Sequence, residues 1–234
     1  MSHDYPSDAV IDASHLRTWQ TFVDTTDSAE VSLRGYLIAK RFLDLAVTLP
    51  VLILLSPLLL LVACLVKLWD RGPVFFIQTR VGKAGQEFTC YKFRSMVPEA
   101  EQLKAQLLTQ NHHADNRTFK IPRDPRITWI GRILRNSSID ELPQLWNVVR
   151  GQMSLVGPRP PVPSEVNLYS DRDRRRLNVQ PGITCIWQVT GRGNLPFSEQ
   201  VRLDLDYIEN RSLALDLKLL MLTIPAVITG RGAY

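Results

Sequence analysis

The chain has 234 residues, 45% hydrophobic and 22% charged, with a mean hydropathy of −0.06 and a formal net charge of +5. These averages fit an ordinary globular protein of one or two domains and exclude a collagen, a wholly disordered chain and a polytopic transporter. The charge is unevenly placed: residues 1–30 hold six acids against one base, so residues 31–234 carry +10. A basic body suits nucleic acid, anionic lipid or phosphorylated substrates; the alternative is a mildly basic solvated surface.

Residues 1–35 read as an acidic tail without strong periodicity. Residues 45–66 form an uncharged apolar run, LAVTLPVLILLSPLLLLVACLV. It starts too far from the N-terminus for an ordinary cleavable signal. At about 1.5 Å per residue a straight helix of this length reaches roughly 33 Å, just enough to span a bilayer. Pro50 and Ser56-Pro57 interrupt the run, and the Ser56 hydroxyl is placed to satisfy a carbonyl freed by Pro57. Lys40 and Arg41 precede the run and Lys67 and Arg71 follow it. Cytosolic bases on both flanks favour a re-entrant hairpin over 36–71 that enters and leaves one leaflet, with a straight span as the alternative.

After the Gly72-Pro73 break, residues 73–96 read as two short strands about a turn at 82–85. Gly82-Lys83 lacks the spacing of a nucleotide P-loop. Helices are expected over 98–110, 126–135, 164–178 and 196–210, with loops over 111–125 and 151–163. Residues 181–194 read as extended or loop. The apolar end, 213–230, is broken by Pro225 and is expected against the membrane hairpin or in the interface. Cys64, Cys90 and Cys185 show no metal or redox spacing. The four histidines, two of them the loop pair His112-His113, form no zinc motif, so zinc hydrolysis and His-based triads are not expected.

The densest chemistry lies in 132–148, RILRNSSIDELPQLWNV. Adjacent carboxylates Asp140 and Glu141 open a helix, with Arg132 and Arg135 just upstream. One reading is structural: Ser138 and Glu141 form a capping box, and acids in a first turn complement the helix dipole. The other is functional. A helix N-terminus stabilises a carboxylate nucleophile and a bound phosphate. Adjacent acids point roughly 100° apart, so one can attack while the other binds a metal. Nearby arginines offer two-pronged contacts to phosphate oxygens.

Several long motifs occur together: KRFLDL (40–45), the Ser56-Pro57 break, GPVFFIQTRVG (72–82), YKFRSM (91–96), the stretch 124–160 ending in GPRP, PGITCIWQVTGR (181–192) and LDLDYIENRSLALDLKLL (203–220). In this order they resemble the bacterial sugar transferase family, monotopic phosphoglycosyl transferases that act on polyprenyl phosphate. The resemblance implies an α+β, mainly α fold. It would combine a re-entrant membrane helical hairpin with a cytosolic domain (72–234) that carries a short β-hairpin and surface amphipathic helices. Larger relatives carry further N-terminal membrane helices and an extra domain, so the resemblance is to the minimal catalytic form.

The activity implied is a two-step exchange. Asp140 would attack the β-phosphate of a UDP-sugar and release UMP. Polyprenyl phosphate would then take the sugar phosphate from the covalent aspartyl intermediate, starting exopolysaccharide, capsule or O-antigen synthesis. Glu141 would hold Mg²⁺ with Asp140 nearby. Arg135 and Arg159 would grip phosphates. Lys92 and Arg94 would add to the basic site or serve only as strand-end charges. Asp204 and Tyr207 match a D-x-x-Y element; Asp204 would bind nucleotide or sugar, or pair with Arg202 or Arg211. Trp187 reads as core and Asp44 as a polar contact at the membrane boundary. Expected partners are a UDP-sugar, polyprenyl phosphate and membrane lipid at the cytosolic face of the bacterial inner membrane. A homodimer stays open. Nucleic acid is not expected, since no reader motif is present. The competing class is a non-catalytic scaffold that binds anionic lipid, which leaves the acidic pair among arginines without a purpose.

Overall fold

The computed structural model describes residues 33–100, 102–103, 124–190 and 195–229. The acidic stretch 1–30, most of the expected helix 98–110, most of the expected loop 111–125 with His112-His113, and the segment 191–194 lie outside the described residues.

Helix α1 (Leu33–Asp70) is 38 residues long. It contains an 18-residue window of mean hydropathy 2.9, long and apolar enough to cross a membrane, and only 11% of that window is buried. The interruption expected at Ser56-Pro57 does not end the helix, which runs on through both Pro50 and Pro57. The local chemistry explains why. Pro57 has no N–H to give the Ile53 carbonyl, and Ser56 Oγ donates to that oxygen at 2.8 Å instead.

Both halves of α1 lie on the folded body. Val47, Val51 and Leu52 pack on the main core, while Val62 and Val66 join Phe93 and Leu134 in a second cluster. Between Thr48 and Val62 no residue is buried, and Leu49, Ile53, Leu54, Leu60 and Leu61 are exposed. Polar contacts fix each end. Lys40 Nζ pairs with Asp216 at 2.8 Å, and the Tyr36 hydroxyl donates to the same carboxylate at 3.0 Å. Arg41 donates to the carbonyls of Val148 and Val149 at 2.6 and 2.8 Å. Asp44 accepts from Ser154 Oγ and Leu155 N, each at 3.0 Å. At the far end Asp70 holds the Arg94 guanidinium with both carboxylate oxygens.

The rest is mainly helical with two small sheets. The expected hairpin is present: β1 (Phe75–Val81) and β2 (Glu87–Phe93) pair antiparallel, with Arg80 opposite Phe88 and Gln78 opposite Cys90. Gly85 turns the chain at φ +76, a conformation that suits glycine. Helix α2 (Trp129–Asn136) follows, capped by the Thr128 side chain, which accepts from Gly131 N. A single 3₁₀ turn (Ile139–Glu141) and α3 (Gln144–Val149) come next.

The second sheet departs from the loop expected over 151–163, while its other strand falls in the stretch 181–194 read as extended or loop. β3 (Ser154–Val156) and β4 (Gly182–Thr184) pair in parallel. The charged helix expected over 164–178 is instead three short pieces: α4 (Pro163–Val166), α5 (Asp171–Arg174) and a 3₁₀ turn (Arg175–Asn178). Ser170 forces a new start there, because its side chain accepts from Asp173 N while Asp173 accepts from Ser170 N. Helix α6 (Ile186–Thr190) lies where extended chain or loop was expected. Helices α7 (Phe197–Asn210) and α8 (Leu213–Thr229) end the described chain, and α8 packs on α1, as the apolar end required.

The main core joins Cys90, Leu145, Val148, Met153, Val156, Trp187, Leu203 and Leu219, so it lies where α3, the second sheet and the last helices meet.

Candidate active site

The acidic pair sits on the 3₁₀ turn between α2 and α3. Ser138, the residue before it, has φ +55, and its side chain makes no cap hydrogen bond. The capping-box reading of Ser138 and Glu141 is therefore corrected. Left-handed backbone at a non-glycine is uncommon and mildly strained. It turns the chain sharply from α2 so that Asp140 and Glu141 face different surroundings.

Glu141 Oε1 accepts from Lys92 Nζ at 2.5 Å. Burial opposes its ionisation, but Lys92, then Arg159 and Arg80, hold its carboxyl down to about 2. Asp140 is 7% exposed. Burial pushes its carboxyl up to about 6, and the negative Glu141 adds to the rise, against the pull of Lys92 and Arg135. Two adjacent acids thus differ sharply in proton affinity, as in sites that divide roles between paired carboxylates.

A cleft opens beside Glu141, lined by Arg80, Cys90, Lys92, Gln144, Arg159 and Gln188, with Pro160, Gly182 and Ile183. Strand periodicity explains part of this lining. Cross-strand pairs share a face, so Gln78, Arg80, Cys90 and Lys92 project to one side of the hairpin. The second sheet supplies the rest. Gly182 N donates to the Pro158 carbonyl, and Val81 N donates to the Pro161 carbonyl, so GPRP is clamped between β4 and the end of β1. Asn147 couples the hairpin to α3. Its amide donates to the Thr89 carbonyl at 2.6 Å and accepts from Tyr91 N at 3.3 Å. It occupies the free edge of β2 on either side of Cys90, one residue from Lys92.

The other expected site residues divide. Arg159 lines the cleft with Lys92. Arg135 lies on the Asp140 side and donates from Nε to Ser95 Oγ at 3.0 Å. Arg94 is corrected: Asp70 and the Pro73 carbonyl occupy its guanidinium, so it ties β2 to the end of α1 instead of facing the cleft. Asp204 is 1% exposed and pairs with Arg176 at 2.6 Å, not with Arg202 or Arg211. It also accepts from Trp187 Nε1 at 3.1 Å, which keeps Trp187 in the core. Tyr207 is buried and donates to Asp216 at 2.7 Å. Neither Asp204 nor Tyr207 lines the cleft. Arg80, Gln144 and Gln188 were not singled out from the sequence. The signal available for Arg80 was its place in TRVG, two residues from Gln78 on an alternating strand.

A helix long and apolar enough to cross a membrane, an acidic pair of unequal proton affinity and a cleft lined by Arg80, Lys92 and Arg159 occur together in this chain. The family model described as bacterial sugar transferase matches residues 35–230, and the chain belongs to that family. It is 42% identical over 200 residues to the exopolysaccharide production protein ExoY of Sinorhizobium fredii, covering 84% of this chain and 88% of that protein. It is 42% identical over 224 residues to the galactosyl transferase CpsE of Streptococcus agalactiae, covering 95% of this chain but 49% of that protein. It is 41% identical to the undecaprenyl-phosphate galactose phosphotransferase of Salmonella typhimurium, covering 83% of this chain and 41% of that protein. The chain thus spans about half or less of the two longer relatives and most of ExoY.

Proposed function

We propose that this chain transfers a sugar 1-phosphate from a UDP-sugar to polyprenyl phosphate at the cytosolic face of the bacterial inner membrane. The observation that carries this reading is the unequal acidic pair, whose Glu141 lines a cleft with Arg80, Lys92 and Arg159 while the adjacent Asp140 lies outside that lining. Relatives named undecaprenyl-phosphate galactose and glucose phosphotransferases support it. The scaffold alternative has no use for such a pair.

In the first step an Asp140 carboxylate oxygen attacks the β-phosphorus of the nucleotide sugar. The bond from that phosphorus to the bridging oxygen breaks, and UMP leaves with the electron pair. An oxygen of polyprenyl phosphate then attacks the phosphorus of the aspartyl phosphosugar. The acyl phosphate bond breaks, Asp140 is restored as a carboxylate, and a polyprenyl diphosphate sugar results. Splitting the transfer lets donor and acceptor use one phosphate site in turn. Asp140 is poised for this role, since at pH 7 a carboxyl titrating near 6 is mostly ionised yet poorly solvated. Arg135 steadies that charge, while Arg159 and Lys92 take up phosphate oxygens.

Among the described residues no group of three or more His, Cys, Asp or Glu side chains could hold a metal. Mg²⁺ needs less than that: it commonly binds one or two carboxylates together with substrate phosphates and water. Asp140 and Glu141 fit this donor set. Bound there with the substrate, Mg²⁺ would offset phosphate charge that repels the incoming carboxylate.

The seating of α1 supports the re-entrant path. Its first half is fixed by Asp216, Ser154 and α3, and its second by Phe93, Leu134 and Arg94, all in one folded body. A helix that crossed the bilayer would hold such a body at one end only. The unburied stretch 49–61 covers about 20 Å, short of the roughly 30 Å hydrocarbon core.

The test is UMP release from a panel of UDP-sugars with undecaprenyl phosphate and Mg²⁺. Wild type is expected to release UMP only when its sugar is present, and Asp140→Asn to fall by at least about a thousandfold. Near wild-type release by Asp140→Asn contradicts the nucleophile.

A further inference from the structure

The cations buried among the described residues are Lys40, Arg80, Arg94, Arg126 and Arg176. Four of them have a carboxylate partner: Lys40 with Asp216, Arg94 with Asp70, Arg126 with Asp124 and Arg176 with Asp204. Arg80 is the exception. Its Nη1 donates to the Pro160 carbonyl at 2.7 Å and its Nη2 to Gln78 Oε1 at 2.6 Å, both neutral acceptors. Its Nε is buried without any partner. The side chain is 7% exposed and lines the cleft with Lys92 and Arg159.

A buried cation without an anion is costly, because desolvation is not offset by a partner charge. A guanidinium has five N–H donors, and only two nitrogens are engaged here. A second cation, Arg159, stands close enough to oppose its charge, so burial first and Arg159 next lower the Arg80 guanidinium to about 10. Folding has placed this arginine near the end of a strand and against the proline pair that carries Arg159, with Glu165 and Glu141 offsetting its charge only from a distance. Glu141 cannot neutralise both, since Lys92 already holds one of its oxygens.

We propose that Arg80 is an anion-binding residue of the cleft, which together with Arg159 takes up a phosphate group of the substrate. Phosphate supplies the missing counter-charge and the acceptor oxygens that the free N–H groups require. The two neutral acceptors hold the guanidinium plane before the ligand arrives, so little side-chain freedom is lost on binding. The existence of the anion site stands on this charge balance. Only the identity of the phosphate, on donor or on acceptor, rests on the transfer reading.

The experiment is calorimetric titration of the full chain in detergent and metal-free buffer. Three probes are used: inorganic pyrophosphate, UDP and farnesyl phosphate. Arg80→Gln is expected to weaken pyrophosphate binding by at least about tenfold, and Arg80→Lys, which keeps the charge but loses the fork, by about threefold. The unliganded Arg80→Gln protein should melt no lower than wild type, because a buried unpaired charge has gone. Arg202→Gln, on the exposed side of α7, is the control and should bind as wild type. Loss confined to UDP assigns Arg80 to the donor phosphates, loss confined to farnesyl phosphate assigns it to the acceptor, and loss of both indicates a shared seat. If both Arg80 variants bind all three anions within about twofold of wild type, the proposal is overturned; if only Arg80→Lys folds, wild-type affinity in it does the same. Absence of UMP release by wild type would undo the transfer reading and leave the pyrophosphate result standing.

Discussion

Asp140 and Glu141 are neighbours with opposite proton affinities, and the difference has consequences for stability. Asp140 titrates near 6, above its ordinary range. The folded protein therefore holds this proton more tightly than the unfolded chain between about pH 4 and 6, and stability falls as pH rises through that window. In metal-free buffer Asp140→Asn is expected to raise the melting temperature at pH 7.5, by an amount worth ~1–3 kcal/mol, with the gain vanishing below about pH 4. Glu141 lies on the other side. Its carboxyl is held near 2, so its contribution is present above about pH 4.5 and is lost as pH falls through 2. Glu141→Gln should lower the melting temperature at pH 7.5. Thermal melts of the two variants in parallel check both signs. Ser138 gives a separate test. At φ +55, Ser138→Gly is expected to raise stability by up to ~1 kcal/mol and Ser138→Thr to lower it by a similar amount. A capping serine would instead show little change for Thr, which caps nearly as well, and a small loss for Gly. The acidic pair was legible in the sequence as an unusual local cluster. The left-handed Ser138 was not, because the same four letters also spell a helix start.

At the scale of elements, the hairpin and the long helices were legible, because alternation and apolar runs are local signals. The second sheet was legible only as an extended or loop stretch over 181–194. β3 and β4 are three residues each and separated by the charged segment, so neither carries a periodicity long enough to read. What holds them together is a close approach of two glycines. A Cβ on Gly182 would lie 2.0 Å from Gly157 N. Gly182→Ala is accordingly expected to cost about 2–4 kcal/mol or to prevent folding, measured by denaturant unfolding. The damage should reach the cleft, since this pairing carries GPRP. Arg94 was misplaced for a related reason: sequence spacing puts it two residues from Lys92, on the same face, but it lies past the end of β2, where Asp70 captures it. Asp204 and Tyr207 read as site residues from their motif alone, and their partners Arg176 and Asp216 come from other elements.

For the whole molecule, the apolar run and its two basic flanks were visible in the sequence, whereas the break expected at Ser56-Pro57 is bridged within one helix. How the flanks are used was not visible. Lys40 is 8% exposed and neutralised by Asp216, so it docks α1 on the body and adds little charge for lipid. The re-entrant path leads to a topological expectation. In a Cys64→Ala background, cysteines at the exposed positions Arg34 and Arg71 should both be modified by an impermeant thiol reagent from the cytosolic side alone. Labelling of either one from the periplasm contradicts that path. Separation of Lys40 from Asp216 should act on the membrane anchor and not on the chemistry. Lys40→Met is expected to lower thermal stability by about 3–5 kcal/mol, because Asp216 is left buried with only its two tyrosine donors.

The covalent step can be observed without the acceptor. The purified chain is incubated with its UDP-sugar and Mg²⁺ but no polyprenyl phosphate, and intact-protein and peptide masses are then recorded. A mass gain of one sugar phosphate is expected, carried by the peptide that contains Asp140, lost on addition of polyprenyl phosphate and absent in Asp140→Asn. Turnover on addition of acceptor with no adduct at any time, or an adduct on another residue that persists in Asp140→Asn, contradicts it.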